Sequence, residues 1–356
     1  MLDGARPLVS ICIPTYNRAR LLRQTLPTVL GQEYTDIEVV ICDNGSTDET
    51  EDVCRHAAQA DARVRYLRHP VNVGLYANCN VCIEQSKGEF FCLFHDDDLY
   101  SPGMVGEYVA FLRRHPEVGI VCSDVVLIDG AGHTLGVREH PVEPITPGLG
   151  YIEQTMRSGR SSIAMSGAMI RRVAIGDVRF DERGGLGFAD FAVWFEVAER
   201  WAVGHIARRL WSYRLHVGQL SGGTIEATTR DYHETLVRYC REHLERWPEH
   251  EATAARWRRY IERFLFWALA YEICLHCRER HPGRPSQERT IFEMRDYRLT
   301  PEEFRRAREQ LRRYRRGWGQ SAVTAAIDGL LALGITGPLA WATQYSAVLR
   351  SVLRLR

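Results

Sequence analysis

Three consecutive carboxylates, Asp96, Asp97 and Asp98, follow directly on the apolar run Phe90-Phe91-Cys92-Leu93-Phe94, with only His95 between. Like charges packed this closely repel unless a cation sits among them. Hard divalent ions such as Mn²⁺ or Mg²⁺ take oxygen ligands, typically one or two carboxylates plus the oxygens of a diphosphate. A five-residue apolar run reads as a strand buried on both faces, as in a parallel sheet covered by helices. The acidic triplet therefore belongs at the carboxyl end of a central strand, where such sheets bind ligands. A lone acidic triplet is more often a solvated loop; the elements around it argue otherwise here.

Those elements alternate. Leu8–Pro14 is a β-rich run leaving through Thr15-Tyr16-Asn17. Leu21, Leu22, Leu26, Val29 and Leu30 follow at helical spacing. Ile37–Cys42 is a second strand, ending in Asp43-Asn44. Ser46 with Glu49 three residues on predicts a capping box and a helix to about Ala60. Val64–Leu67 is a third strand, and Asn72-Val73-Gly74 opens a helix that carries Asn80 and turns Cys79 and Cys82 inward. Alternating strands and helices predict a doubly wound, mostly parallel α/β sheet. Each strand's exit loop carries polar residues suited to a nucleotide. Neither Gly-x-Gly-x-x-Gly nor Gly-x-x-x-x-Gly-Lys-Ser/Thr is present, so a glycine-cradled dinucleotide or P-loop ligand is disfavoured and the diphosphate needs a metal. The same absence argues against a nucleotidyltransferase.

The chain has 356 residues, 45% hydrophobic and 26% charged, with a formal net charge of +1. That suits a globular protein of one sizeable domain plus an appendage, and no global field favours nucleic acid. Cysteines in predicted strands (Cys12, Cys42, Cys92, Cys122) read as small buried hydrophobes of a reducing compartment. Cys274-Leu-His-Cys277 near His281 offers only a weak zinc pattern. The first seven residues have no apolar signal core, which predicts a cytoplasmic location.

The ordered set Val9–Asn17, Val39–Asp48, Asn72-Val73-Gly74 with Asn80, Gly88-Glu89-Phe90 before the acidic triplet, Gly185–Asp190 and Tyr213-Arg214-Leu215-His216 resembles the GT-A glycosyltransferases of family 2, which use nucleotide-diphosphate sugars. The resemblance covers about residues 7–222. It implies a GT-A catalytic domain over 1–225, with a nucleotide half (about 7–128) and an acceptor half (about 129–225). It also implies donor binding by Pro14, Thr15, Tyr16, Asn17, Asp43, Asn44, Gly74, Asn80, Asp96 and Arg214. Thr15 and Asp43 would recognise the base; a carboxylate accepting an imide N–H suits UDP or dTDP. Asp96 would lie near the ribose, and Asp97, Asp98 and His216 would hold the metal. The family often has Asp-x-Asp-Asp, which puts His95 at its first Asp, and Cys79 stands where many members have Arg.

Asp190 matches the family's general base, although its neighbour is Ala189 where Glu is usual. One carboxylate opposite the departing diphosphate suits an inverting displacement, and helix capping is its bland alternative. The acceptor, a hydroxyl of a glycan, a lipid carrier or a small molecule, would lie against residues 130–190. The alternative function is a catalytically silent nucleotide-sugar binder or membrane-associated scaffold.

Residues 226–356 read as a helical extension: Thr228–Trp247, Ala252–Arg280 and Pro301–Arg316, then an apolar segment from Ala322 to Leu349. That segment is interrupted by Asp328, Gly334 and Pro338, too often for a spanning helix. Packing or homo-oligomer contact is favoured over peripheral attachment to the inner face of the plasma membrane.

Overall fold

A computed structural model describes residues 6–140, 142–158, 161–181, 189–216, 225–279 and 301–314, with Thr324, Ala325, Ile327 and Asp328. The first half repeats strand and helix. β1 (Val9–Thr15), α1 (Ala19–Leu30), β2 (Ile37–Asp43), α2 (Thr50–Ala60), β3 (Val64–Arg68), α3 (Leu75–Gln85) and β4 (Phe90–Leu93) lead into β5 (Leu99–Tyr100) and α4 (Met104–Arg114). Then follow β6 (Val118–Ile128), β7 (Thr134–Arg138), β8 (Ile145–Thr146), α5 (Gly148–Ser158), β9 (Ala168–Arg171), α6 (Arg172–Ile175), α7 (Ala189–Ala198) and β10 (Ala202–Arg214). Helices α8 (Ile225–Arg246), α9 (Glu251–Glu279) and α10 (Pro301–Tyr314) come last.

Among the described residues the strands form one sheet ordered β3-β2-β1-β4-β9-β6-β10-β5, with β7 on β6 and β8 on β10. Strands β1 to β4 pair in parallel, and β6 pairs in parallel with β10. β9 runs antiparallel between β4 and β6. The strand alternation decides which helices cover which face. Val9, Ile11 and Ile13 join a core with α1, α2 and α4, whereas Cys12 turns the other way and its thiol meets the Cys82 carbonyl of α3. Phe90 to Phe94 are all inaccessible to solvent, as expected for a strand covered on both faces.

The capping box at Ser46 does not form. α2 starts at Thr50 with no side-chain cap at Glu49. Ser46 Oγ instead accepts the Asn17 N–H at 2.9 Å, and the Asp48 carboxylate takes the Thr50 N–H at 3.0 Å. The local signal lost to a tertiary demand, the tying of the β1 exit loop to the β2 exit loop. α7 starts at Ala189, which places Asp190 in its first turn.

The chain divides into two compact units. The first carries the sheet with α1–α4, α6 and α7. The second gathers α8, α9 and α10 around a core of its own that includes Leu236, Tyr239, Trp257 and Ile261. No helix of the described residues is long and apolar enough to cross a membrane. The apolar segment from 329 onward and the side chains of Cys274 and Cys277 lie outside what is described.

Candidate active site

The registers bring the polar strand ends together. Thr15 of β1 lies opposite Asp43 of β2, and Pro14 is buried opposite Cys42. The Phe94 N–H bonds the Cys12 carbonyl at 2.9 Å, which carries the β1–β4 pairing up to the acidic run. His95 to Asp98 therefore emerge beside Thr15, at the carboxyl edge of the parallel half.

That acidic run is held from several elements. Thr25 Oγ1 on α1 shares its proton between the carbonyls of Asp98 (2.8 Å) and Asp96 (3.1 Å). The Tyr100 hydroxyl, whose ring stacks on Phe94, accepts the His95 N–H at 2.7 Å. Arg214, buried at the end of β10, donates its backbone N–H to Asp98 Oδ1 (2.8 Å) and its Nε to the Asp97 carbonyl (2.7 Å). Its Nη1 reaches the carbonyls of Asp129 and Gly130. Ser166 donates to the other oxygen of Asp98. The Asp98 carboxylate is thus enclosed and satisfied. Burial, reinforced by Asp97, raises its pKa well above the usual carboxylate range, against the bonds from Ser166 and Arg214.

Asp96 is buried too. Burial and the Asp97 charge push its pKa up to about 7, opposed by Thr15, by Arg18 with Nε 3.9 Å away, and by the Tyr16 N–H. Asp97 is the one whose carboxylate meets His216, with Nε2 to Oδ2 at 3.0 Å. A ring nitrogen of His95 and carboxylate oxygens of Asp97 and Asp98 lie within 4.8 Å of one another. His95 Nε2 is buried without a hydrogen-bond partner, and burial lowers that ring's pKa, which keeps a lone pair free for a metal. Carboxylate oxygens crowded beside neutral imidazole form a donor set that fits Mn²⁺ or Mg²⁺.

The loops expected to face the nucleotide are largely self-engaged. Asp43 is fully buried. One oxygen accepts the Ser46 N–H (2.9 Å), and the other meets the Tyr66 hydroxyl (2.8 Å) and Arg68 (3.3 Å). The Asn44 amide folds the next loop, donating to Asn72 and to the Gly74 carbonyl and accepting the Val73 N–H. Gly74 takes φ +92°, a conformation that side chains disfavour. Asn17, at φ +52°, accepts the Thr47 N–H. Asn80 spends both ends of its amide on the backbone of Phe180. The Tyr16 ring, 42% exposed, and the Thr15 hydroxyl, buried beside Asp96, are not taken up by these loops.

Asp190 accepts the N–H of its neighbour Phe191 at 3.0 Å. Burial pushes its pKa up to about 6, against that bond and the approach of the Trp194 indole. A carboxyl in this range suits proton abstraction near neutrality. The glycines at 184, 185 and 187 lie outside the described residues.

Thr25, Ser166, Tyr100 and Trp194 carry no sequence signal that marks them as site residues. Only Ser166 falls within 130–190, the stretch expected to meet the acceptor, and it is placed by a 3₁₀ turn (Met165–Gly167) ahead of β9.

A parallel half joined to a mixed half, with an acidic run at the carboxyl end of the central strand and helices after it, defines a GT-A fold. The sequence profile of glycosyl transferase family 2 matches residues 10–178, just under half of the chain. Putative glycosyltransferase EpsE of Bacillus subtilis is 28% identical over 166 residues, 46% of this chain and 58% of EpsE. Uncharacterized glycosyltransferase RP339 of Rickettsia prowazekii is 34% identical over 131 residues, 36% of this chain and 40% of that protein. Each match spans less than two thirds of the relative. Among solved structures, Staphylococcus aureus TarS 1–349 with UDP-GlcNAc superposes with TM-score 0.58 at 16% identity, covering 97% of this chain and 90% of TarS 1–349. The mannosyltransferase PcManGT of Pyrobaculum calidifontis, with GDP-Man and Mn²⁺, gives 0.53 at 17% identity, covering 98% and 86%.

Proposed function

We propose that the chain transfers a sugar from a nucleotide-diphosphate donor to an acceptor hydroxyl with inversion, using a divalent cation at Asp97. The observation that carries this reading is the Asp97–His216 pair, 3.0 Å apart, beside the buried Asp96 at the carboxyl edge of the sheet. Asp97 and His216 would hold the ion, with His95 and Asp98 at its border. Bound there, it would supply Lewis-acid stabilisation of charge on the departing diphosphate. Arg18 and the backbone around Tyr16 orient Asp96 toward the donor, and the Tyr16 ring offers a flat apolar surface to the base. Asp190, with its carboxyl near pH 6, takes the acceptor proton as its oxygen attacks the anomeric carbon. The bond to the diphosphate breaks on the opposite face.

UDP or dTDP is the proposed nucleotide. TarS, bound to UDP-GlcNAc, supports that choice, and the GDP-Man and Mn²⁺ of PcManGT support the metal. The acceptor is proposed as a glycan, lipid-linked or small-molecule hydroxyl, and nucleic acid is not a partner.

Thermal unfolding with UDP, dTDP, GDP, ATP and NAD, each with and without Mn²⁺, tests the reading. A ligand at 100 times its dissociation constant adds about 2.7 kcal/mol. UDP or dTDP should raise the melting temperature only with Mn²⁺, and donor hydrolysis should follow the same requirement. A metal-independent preference for ATP or NAD would overturn it. Binding without hydrolysis of any donor would favour a silent nucleotide-sugar binder.

A further inference from the structure

One donor beside Asp190 is unaccounted for. Trp194, one turn along α7, is wholly buried, and its indole N–H meets no acceptor in hydrogen-bond geometry. The i, i+4 spacing sets it on the same helix face as Asp190. The indole lowers the proton affinity that burial raises in Asp190, and among the described residues no charged side chain bears on that carboxylate.

The Trp194 ring is itself fixed from outside α7. It meets Phe180 edge to face, 5.8 Å between centroids at 88°, and Phe180 stacks on Tyr76 of α3 at 5.6 Å and 10°. Phe180 is held by more than packing. Asn80, also on α3, donates its amide to the Phe180 carbonyl (2.9 Å) and accepts the Phe180 N–H (3.0 Å). This two-point grip fixes both position and rotation of a residue 100 positions further along the chain. α3 begins at Gly74, where the β2 exit loop is also fastened.

We propose that Asn80, Phe180 and Trp194 are positioning residues for Asp190: α3 grips Phe180, Phe180 seats the indole, and the indole N–H orients the carboxylate. This rests on Asp190 serving as the base, and it assigns Asn80 to the acceptor side of the reaction, not to the nucleotide. A buried N–H without a good acceptor is costly, and mere packing would be served equally well by phenylalanine. Phenylalanine would lack the hydrogen that reaches toward Asp190.

Trp194→Phe keeps the ring stack and removes that hydrogen; Asn80→Ala releases Phe180. Carbon NMR of aspartate-labelled protein, with the Asp190 signal assigned through Asp190→Asn, reads the carboxyl directly and needs no substrate. The wild-type midpoint should fall near pH 6. It should move upward in Trp194→Phe, and in Asn80→Ala it should move upward together with faster amide exchange at Phe180. With a hydrolysable donor, kcat should fall about tenfold while the donor KM holds, the pattern of a displaced general base. Unchanged midpoints in two variants that melt cooperatively would overturn the proposal. So would an Asn80→Ala variant that loses the Mn²⁺-dependent nucleotide response while its Asp190 midpoint stays put. If the wild type shows no nucleotide response at all, the glycosyl-transfer reading fails, yet the Asp190 titration still decides the positioning network.

Discussion

Asp190, the proposed base, shows what a buried carboxyl costs. Its carboxyl is shifted from 3.8 to about 6 chiefly by burial. The folded state therefore holds a proton more tightly than the unfolded chain, and stability from this group, full below about pH 4, is lost as pH rises through about 6. At neutral pH the ionised carboxylate costs about 1–3 kcal/mol, allowing for its partial exposure. Asp190→Asn should accordingly melt higher than wild type at about pH 7.5, show little difference at about pH 4, and transfer no sugar. Calorimetry at the two pH values checks the sign; equal melting differences at both would remove burial as the cause. Activity of the wild type should fall on the acid side with a midpoint near pH 6.

The proposed metal residues separate by role in the same way. Asp97→Asn keeps the shape and removes the charge that His216 faces, and should abolish the Mn²⁺-dependent part of nucleotide binding. His216→Gln should weaken it about 10–100-fold, the range for groups that support or complete a metal site. Titration calorimetry with Mn²⁺ in the presence of UDP distinguishes the two. The position of Asp97 just beyond a buried strand was legible from the apolar run before it. Asp43 and Asn44 looked equally suited to a ligand, yet their polar atoms are consumed by their own and neighbouring loops. Residue type announces hydrogen-bonding capacity; only the fold decides who takes it up.

Among the elements, β1 and β4 must lie close enough for the acidic run to emerge beside Thr15. Gly88 permits this. A Cβ there would stand 2.6 Å from the Ser10 nitrogen and the Phe90 oxygen and 2.7 Å from the Leu8 oxygen, all backbone. Gly88→Ala must prise β4 from β1 and should cost about 2–4 kcal/mol or prevent soluble folding. A denaturation curve with an unchanged midpoint would show the strands can yield. Thr25→Val, isosteric and buried, removes the one hydroxyl that holds the Asp96 and Asp98 carbonyls, and should cost about 1 kcal/mol. Strands β1 to β4 and the helices between them were readable because apolar periodicity records which face is covered. β5, β7, β8 and β9 were not. Each is two to five residues long and owes its existence to a distant partner, as Ala168–Arg171 owes its to β4 and β6.

For the molecule as a whole, the site draws on segments far apart in sequence but confined to the sheet-bearing unit: the β1 exit, the start of α1, the acidic run, Ser166 and the end of β10. The helices α8 to α10 contribute no residue of the described site. Their sequence announced their helicity, through apolar positions such as Trp257, Ile261 and Leu265, all buried, but not what they serve. Ligand linkage separates the two units experimentally, because a ligand suppresses opening only in segments whose opening disrupts its contacts. Hydrogen–deuterium exchange with UDP and Mn²⁺ should therefore slow in peptides covering residues 13–25, 92–100, 165–170 and 210–216. Peptides within α8, α9 and α10 should exchange as they do without ligand, and a chelator should return the first set to its starting rate. Slowing that appears in α8–α10 while the acidic run exchanges unchanged would put the nucleotide elsewhere, and Asp97 would lose its claim to the metal.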